Sequence, residues 1–92
     1  MGNKTRNIAG AATTVVKTGR GGLIGIVVNK AVASGVITIY DNTSAAGTKI
    51  ATITNPGTLL HSQISLDYHN SDFVIGLTVV TSAADDITVI YN

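Results

Sequence analysis

Short runs of β-branched residues, each ended by a turn signal, constrain this chain more than any other feature. Ten valines, eleven isoleucines and thirteen threonines make up 34 of its 92 residues. Such side chains are stiff at χ1 and fit a pleated sheet surface. Clusters of Gly, Asn, Asp and Pro separate the runs, and no segment has the periodicity of a long helix. We therefore predict an all-β fold, in which many short strands form a sandwich or a barrel.

The alternation of apolar and polar residues locates the strands. They are predicted over 13–18, 23–29, 35–41, 48–54, 63–69, 73–80 and 87–91, with an eighth if 58–61 pairs. Seven to eight antiparallel strands predict a single small β-sandwich of jelly-roll type. Ser-Ala-Ala turns at 44–46 and 82–84 predict two similar hairpins. Residues 1–11 lack periodicity, so we expect an extended N-terminal arm over 1–11 and a sandwich domain over 12–92.

The same alternation predicts which side chains are shielded from solvent. In the strand at 63–69, three apolar residues share one face, opposite Asp67 and His69. The residues expected in the core or at a subunit contact are Ile37, Ile39, Ile64, Leu66, Tyr68, Val79 and Val89.

Charge and composition bear on association more than on chemistry. Residues 1–40 hold five of the six basic residues and no acid, whereas residues 41–92 hold Lys49 and all five aspartates. This division favours electrostatic docking onto an acidic partner or between copies of the chain. Only 12% of the residues are charged, and threonine-rich strands leave sheet edges poorly guarded against pairing. We therefore expect a closed homo-oligomer.

Motifs that carry catalysis or metal binding are weak in this sequence. There is no cysteine, which excludes disulfides and thiolate sites. Asp67 and His69 would need one or two further ligands, from His61 or an aspartate, to hold a metal. A Ser62–His61–Asp72 triad would lack the strand–turn–helix elbow that exposes a nucleophile. We predict a protein that is not an enzyme and has no catalytic or metal site and no cofactor.

Three further classes are disfavoured by the residues. The glycine-rich segment 19–22 lacks the Lys-Ser/Thr ending of a phosphate loop, so a hairpin turn is the better interpretation. Six basic residues without interleaved aromatic residues make a poor nucleic-acid surface. No apolar run approaches the ~18 residues of a membrane helix. We therefore expect neither a nucleic-acid nor a membrane partner.

Segments 29–42 (NKAVASGVITIYDN), 47–53 (GTKIATI) and 82–89 (SAADDITV) resemble small virion structural proteins of tailed bacteriophages. The resemblance extends from about residue 13 to residue 92. It implies a homotrimeric β-sandwich on the virion, most simply a capsid cement or decoration protein on the head surface. Its partner would be the major capsid protein or another virion protein. A neck or tail component has the same kind of sequence, and a receptor- or glycan-binding module of the same fold is the other alternative.

The resemblance also gives the basic residues a role in binding. Lys4 and Arg6 in the arm, with Lys17 and Arg20 in the first hairpin, would meet an acidic capsid surface. The arm would be disordered in the free protein and would add a strand to an open sheet edge of its partner, with Ile8 filling a pocket.

Overall fold

The computed structural model describes residues 3–55, 57 and 64–92, and eight β-strands lie within them. The strands are β1 (Lys4–Ala9), β2 (Ala12–Thr18), β3 (Gly21–Lys30), β4 (Val36–Asp41), β5 (Thr48–Thr54), β6 (Ile64–Phe73), β7 (Gly76–Thr81) and β8 (Asp86–Tyr91). The prediction of an all-β fold is confirmed. In the described part of the chain, no helix has the length and hydropathy that a membrane crossing requires.

Two four-stranded antiparallel sheets pack face to face. One has the order β1-β8-β3-β6 and the other has the order β2-β7-β4-β5. The pairs β1–β8, β2–β7, β3–β6 and β4–β5 are those of one long hairpin rolled over onto itself. This is the jelly-roll arrangement of two Greek keys, as the strand count predicted.

The N-terminal segment is part of the sandwich, which corrects the expectation of a separate arm. Strand β1 pairs with β8 along its whole length, from Lys4 opposite Tyr91 to Ala9 opposite Asp86. Ile8 is only 4% exposed and belongs to the core between the sheets. The strand addition expected on a partner therefore takes place within the chain, and the apolar pocket for Ile8 is its own core.

Strand β1 brings the seven predicted strands to eight. The eighth strand considered at 58–61 lies outside the described residues. The predicted strand at 73–80 is wrong at its start. Phe73 ends β6, Val74 and Ile75 form a turn, and β7 begins only at Gly76. The two predicted hairpins also differ from each other. Strands β4 and β5 pair directly, whereas β7 and β8 lie in different sheets, so the turn at 82–85 crosses the sandwich.

The core lies between the sheets and is aliphatic except for Phe73. Four of the residues predicted to be shielded are fully buried, namely Ile37, Ile39, Val79 and Val89. Leu66 and Tyr68 are half-buried on the edge strand β6, and the side chain of Ile64 lies outside the described part. The alternation therefore identified the inner face of the central strands correctly, whereas an edge strand is covered by the opposite sheet only in part.

Two edge strands carry features that oppose pairing with another sheet. On β1, Lys4 and Arg6 lie opposite Tyr91 and Val89 and therefore share the face of the core residue Val89, yet both are exposed. Charges that point toward the core side of an edge strand are a known protection against aggregation. On β2, the pairing register with β7 shifts between Val15 and Lys17.

The edge strands on the other side are interrupted as well. On β5, the register passes from Ala51 to Lys49, so Ile50 forms a bulge. On β6, His69 and Asn70 adopt left-handed backbone conformations with φ of 54° and 58°. Bulges twist an edge and end regular pairing. The expectation of poorly guarded edges is therefore wrong.

Candidate partner-binding surface

One end of the sandwich presents the most exposed large apolar side chains of the described residues. They are Val74 and Ile75, which are 56% and 55% exposed at the tip of the β6–β7 turn. Val15, on the outer face of β2, follows at 43%. Two adjacent exposed apolar side chains at a loop tip make this turn the candidate contact surface of the described residues.

A carboxylate from another strand holds this turn. Oδ1 of Asp41, at the end of β4, accepts the main-chain N–H groups of Val74 at 3.0 Å and Ile75 at 2.9 Å, and that of Gly76 at 3.4 Å. Burial raises the pKa of Asp41, but these three hydrogen bonds outweigh it and lower the pKa below its ordinary value. Consecutive N–H groups around an anion form a nest, here filled by the protein's own side chain.

The β2–β3 turn lies directly beside this tip. The main-chain N–H of Gly19 donates to the carbonyl of Ile75 at 2.9 Å. Gly19 has a φ of 95°, which a residue with a side chain adopts only under strain. The exposed side chain of Arg20 follows immediately. Arg20 is therefore placed next to the apolar pair formed by Val74 and Ile75.

Two further predicted basic residues lie at the same end. Lys17 is half-buried, and its Nζ donates to the main-chain oxygen of Asn92 at 3.0 Å. Lys4 begins β1 opposite Tyr91, one residue before Asn92. We call Val74, Ile75 and Arg20, with Lys4 and Lys17 around them, the basic end.

The structure does not bring all five predicted partner-binding residues together. Arg6 is exposed further along β1, opposite Val89. Ile8 is buried in the core, which corrects its assignment to a partner's pocket. Lys17 is engaged with Asn92, so its ammonium group supports the fold as well as adding charge.

At the opposite end, buried Asp85 joins three connections between strands. Its Oδ1 accepts the N–H of Val32 at 2.7 Å and the side-chain amide of Asn55 at 3.1 Å. The same amide donates to the Val32 carbonyl, and the Gly10 N–H donates to the Asp85 carbonyl. Oδ2 accepts no hydrogen bond from a described residue and lies against Gly35. With Gly35 packed against that oxygen, Asp85 serves as a structural link between the loops.

The charged side chains pair little within the molecule. In the described part of the chain, the one acid–base contact within 4.0 Å joins His69 Nδ1 to Asp67 Oδ2 at 3.6 Å, and both side chains are highly exposed. No group of three or more His, Cys, Asp or Glu side chains lies together among residues 3–55, 57 and 64–92. His61 and Ser62, named above in a possible metal site and triad, lie outside these residues.

Comparison with known proteins gives no relative. No family model, curated protein or solved structure matches the chain. The functional proposal below therefore depends on the sequence resemblance, the fold and the surface.

Sequence reasoning missed the apolar pair and its anchor. The run Phe73-Val74-Ile75 looks like the inside of a strand, because three consecutive apolar residues before a glycine suggest burial. Asp41 looks like an ordinary residue at a strand end. The sequence signals were Asp41 at the end of a predicted strand and the apolar run before Gly76. Neither signal shows that the Asp41 carboxylate binds the main chain of that run.

Proposed function

We propose that this protein is a structural virion protein of a tailed phage, a cement or decoration protein that binds the outer surface of the head as a homotrimer. The resemblance of segments 29–42, 47–53 and 82–89 to such proteins supports the proposal. The jelly roll is compatible with it, since this fold occurs in viral capsid domains and also in lectins. Fold by itself does not assign function, so the surface has to support the choice.

The exposed pair Val74 and Ile75, held by Asp41, is the observation that carries the proposal. Fully burying an apolar side chain of this size contributes about 1.5–3 kcal/mol. A turn that is already fixed loses little conformational entropy on binding, which leaves more of that contribution as affinity. Arg20 beside the pair would steer the surface toward an acidic partner. The basic end has the composition of a small docking surface, with an apolar centre and a charged rim.

The aromatic residues favour a protein partner over a glycan. Sugar binding uses exposed aromatic faces in a groove. Here Phe73 is fully buried, and Tyr68 and Tyr91 pack against the core. Tyr40 is half-buried on the outer face of β4. The receptor- or glycan-binding module is therefore the weaker alternative.

The proposal is tested on virions of the phage that encodes the chain. We expect antibody labelling and image reconstruction to find the protein in many copies on the head. Particles stripped of it should rebind the purified protein in cosedimentation. Its absence from virions would overturn the proposal, and copies confined to the neck or tail would replace it with the neck or tail alternative.

A paired variant tests the surface itself. Val74→Ser with Ile75→Ser should weaken rebinding at least tenfold, because the loss of about 1.4 kcal/mol is already one tenfold step in affinity. Val15→Ser is the matched control, since it removes an exposed valine from the outer face of β2. Equal binding by both variants would mean that the basic end is not the docking surface.

A further inference from the structure

The two edges of one sheet carry opposite charges. In the sheet β1-β8-β3-β6, the edge strand β1 holds Lys4 and Arg6 and no acid. The other edge strand, β6, holds Asp67 and Asp72 and no lysine or arginine. All four residues are exposed. We call Lys4 with Arg6 the basic flank and Asp67 with Asp72 the acidic flank.

The acidic flank holds the aspartates that are least engaged within the molecule. Asp41 accepts main-chain N–H groups of the β6–β7 turn, and Asp85 is buried in its link between loops. Asp86 accepts the side-chain amides of Asn7 at 2.7 Å and Asn29 at 3.3 Å. In the described part of the chain, the side chain of Asp67 makes its polar contacts with its near neighbour His69, at an exposed position. No described lysine or arginine lies within 4.0 Å of any of these carboxylates.

The two flanks point to different sides of the sheet. Lys4 and Arg6 share the core-side face of β1, because Arg6 is opposite the core residue Val89. Asp67 lies on the outer face of β6. Its partner on β3 is Gly25, which in turn lies opposite Ile90. Ile90 points away from the core, because its neighbour Val89 points into it. The core-side face of β1 on one copy can therefore lie over the outer face of β6 on another copy. The basic flank then meets the acidic flank.

We propose that copies of the chain assemble head to tail, with the basic flank of each copy lapped over the acidic flank of the next. The inference depends on the self-association in the proposed function, but not on binding to a virion. Strand direction alternates across the sheet, so a neighbour in the same orientation places its β1 antiparallel to β6. A heterologous contact closes into a ring when its rotation returns to the first copy, as the proposed homotrimer requires, and otherwise extends into an open filament.

The contact is made by side chains and not by extending the sheet. The left-handed residues His69 and Asn70 interrupt β6, and the core-side charges of β1 oppose a flush strand pair. Opposite charges across such a contact raise the association rate and set which surfaces meet. Salt should weaken the assembly, since these charges are exposed to solvent.

Charge reversal tests the contact in sedimentation or light-scattering measurements of mass against concentration. Lys4→Glu with Arg6→Glu should weaken self-association at least tenfold, since like charges facing each other cost more than 1.4 kcal/mol. Asp67→Lys with Asp72→Lys should do the same. Lys30→Glu with Lys49→Glu, which changes the net charge as the first pair does but lies off both flanks, should have little effect.

Rescue distinguishes a direct contact from a general effect of charge. A chain that carries both reversals should assemble again, because its flanks are complementary with exchanged signs. A mixture of the two single-flank variants should also associate, since each supplies the flank that the other needs. Circular dichroism checks that each variant remains folded, as expected for exposed residues.

Two outcomes overturn the proposal in different ways. If the wild-type chain assembles but the flank variants behave like the control, the lapped contact is wrong and self-association stands. If the wild-type chain remains a 9.4 kDa monomer at roughly 100 μM, its self-association is weaker than a Kd of that order, and the homotrimer of the proposed function fails as well.

Discussion

Oδ1 of Asp41 lies 2.9 Å from the main-chain nitrogen of Ile75, which is 34 positions away in the sequence. The contact joins the end of β4 to the turn between β6 and β7, and thereby links both sheets at the basic end. It fixes Val74 and Ile75 by their main chain and leaves their side chains exposed. The surface proposed for binding is therefore part of the fold's hydrogen-bond network.

Removing this carboxylate should destabilise the fold. We expect Asp41→Ala to lower the free energy of unfolding by about 1–3 kcal/mol, because three main-chain N–H groups lose a charged acceptor. Urea titration followed by circular dichroism measures the change. The control is Thr52→Ala, an exposed residue of β5 outside both flanks, which should change the free energy by less than about 0.5 kcal/mol. Equal effects of the two substitutions would contradict this role for Asp41.

The same carboxylate should make stability depend on pH in the acid range. The pKa of Asp41 is lower in the folded chain than its ordinary value of 3.8, so the unfolded chain binds the proton more readily. The stabilisation is complete above pH 3.8 and is lost as the pH falls through the folded pKa. The stability difference between wild type and Asp41→Asn should therefore shrink below that pH. A difference that stays constant from pH 6 to pH 2, within the limits of folding, would be inconsistent with this assignment.

The buried hydrogen bonds of Asp85, at the opposite end of the sandwich, should contribute more to the free energy of unfolding than those of an exposed aspartate. Asp85→Ala removes the acceptor for the Val32 N–H and the Asn55 amide, and we expect a loss of about 2–4 kcal/mol in the free energy of unfolding. In a double-mutant cycle, Asn55→Ala and Asp85→Ala should couple by about 0.5–3 kcal/mol. Asp86→Ala is the neighbouring control and should cost less, because Asp86 is only half-buried. Strict additivity of the two alanine substitutions would show that the link is not shared.

Gly25 should tolerate no side chain. A Cβ atom at this position would lie 2.7 Å from the carbonyl oxygen of Leu66 in the neighbouring strand β6. Because backbone cannot move aside without breaking the β3–β6 pairing, Gly25→Ala should cost about 1–3 kcal/mol. Gly57→Ala is the matched control, since its nearest neighbour is the Ser34 hydroxyl at 3.5 Å. Thermal unfolding measures both, and similar melting temperatures would argue against the steric reason.

Local patterning was sufficient where a strand lies in the middle of a sheet. The alternation at Ile37 and Ile39 predicted their inner face, and the strand predicted over 23–29 lies within β3, in the middle of its sheet. Both signals arise from each residue's own environment, which a period of two reports directly. In edge strands the alternation indicates burial less well. Strand β1 has one core residue, Ile8, and its Lys4 and Arg6 are exposed. Because a single buried position cannot repeat, the sequence of β1 shows no alternation.

The sequence by itself determined the strand-forming segments, the turn residues between most of them, and the segregation of basic and acidic residues along the chain. These properties depend on side-chain type and on neighbours a few positions away. Only the tertiary structure decided that the Ser-Ala-Ala turn at 82–84 crosses between sheets while the similar turn at 44–46 closes a hairpin. It also decided that Asp41 reaches the turn before Gly76, and that Lys4 and Asp67 lie on opposite edges of one sheet. Each of these features depends on a contact between residues far apart in the chain. Such a contact forms only when the whole core packs, so the sequence around either residue carries no pattern that predicts it.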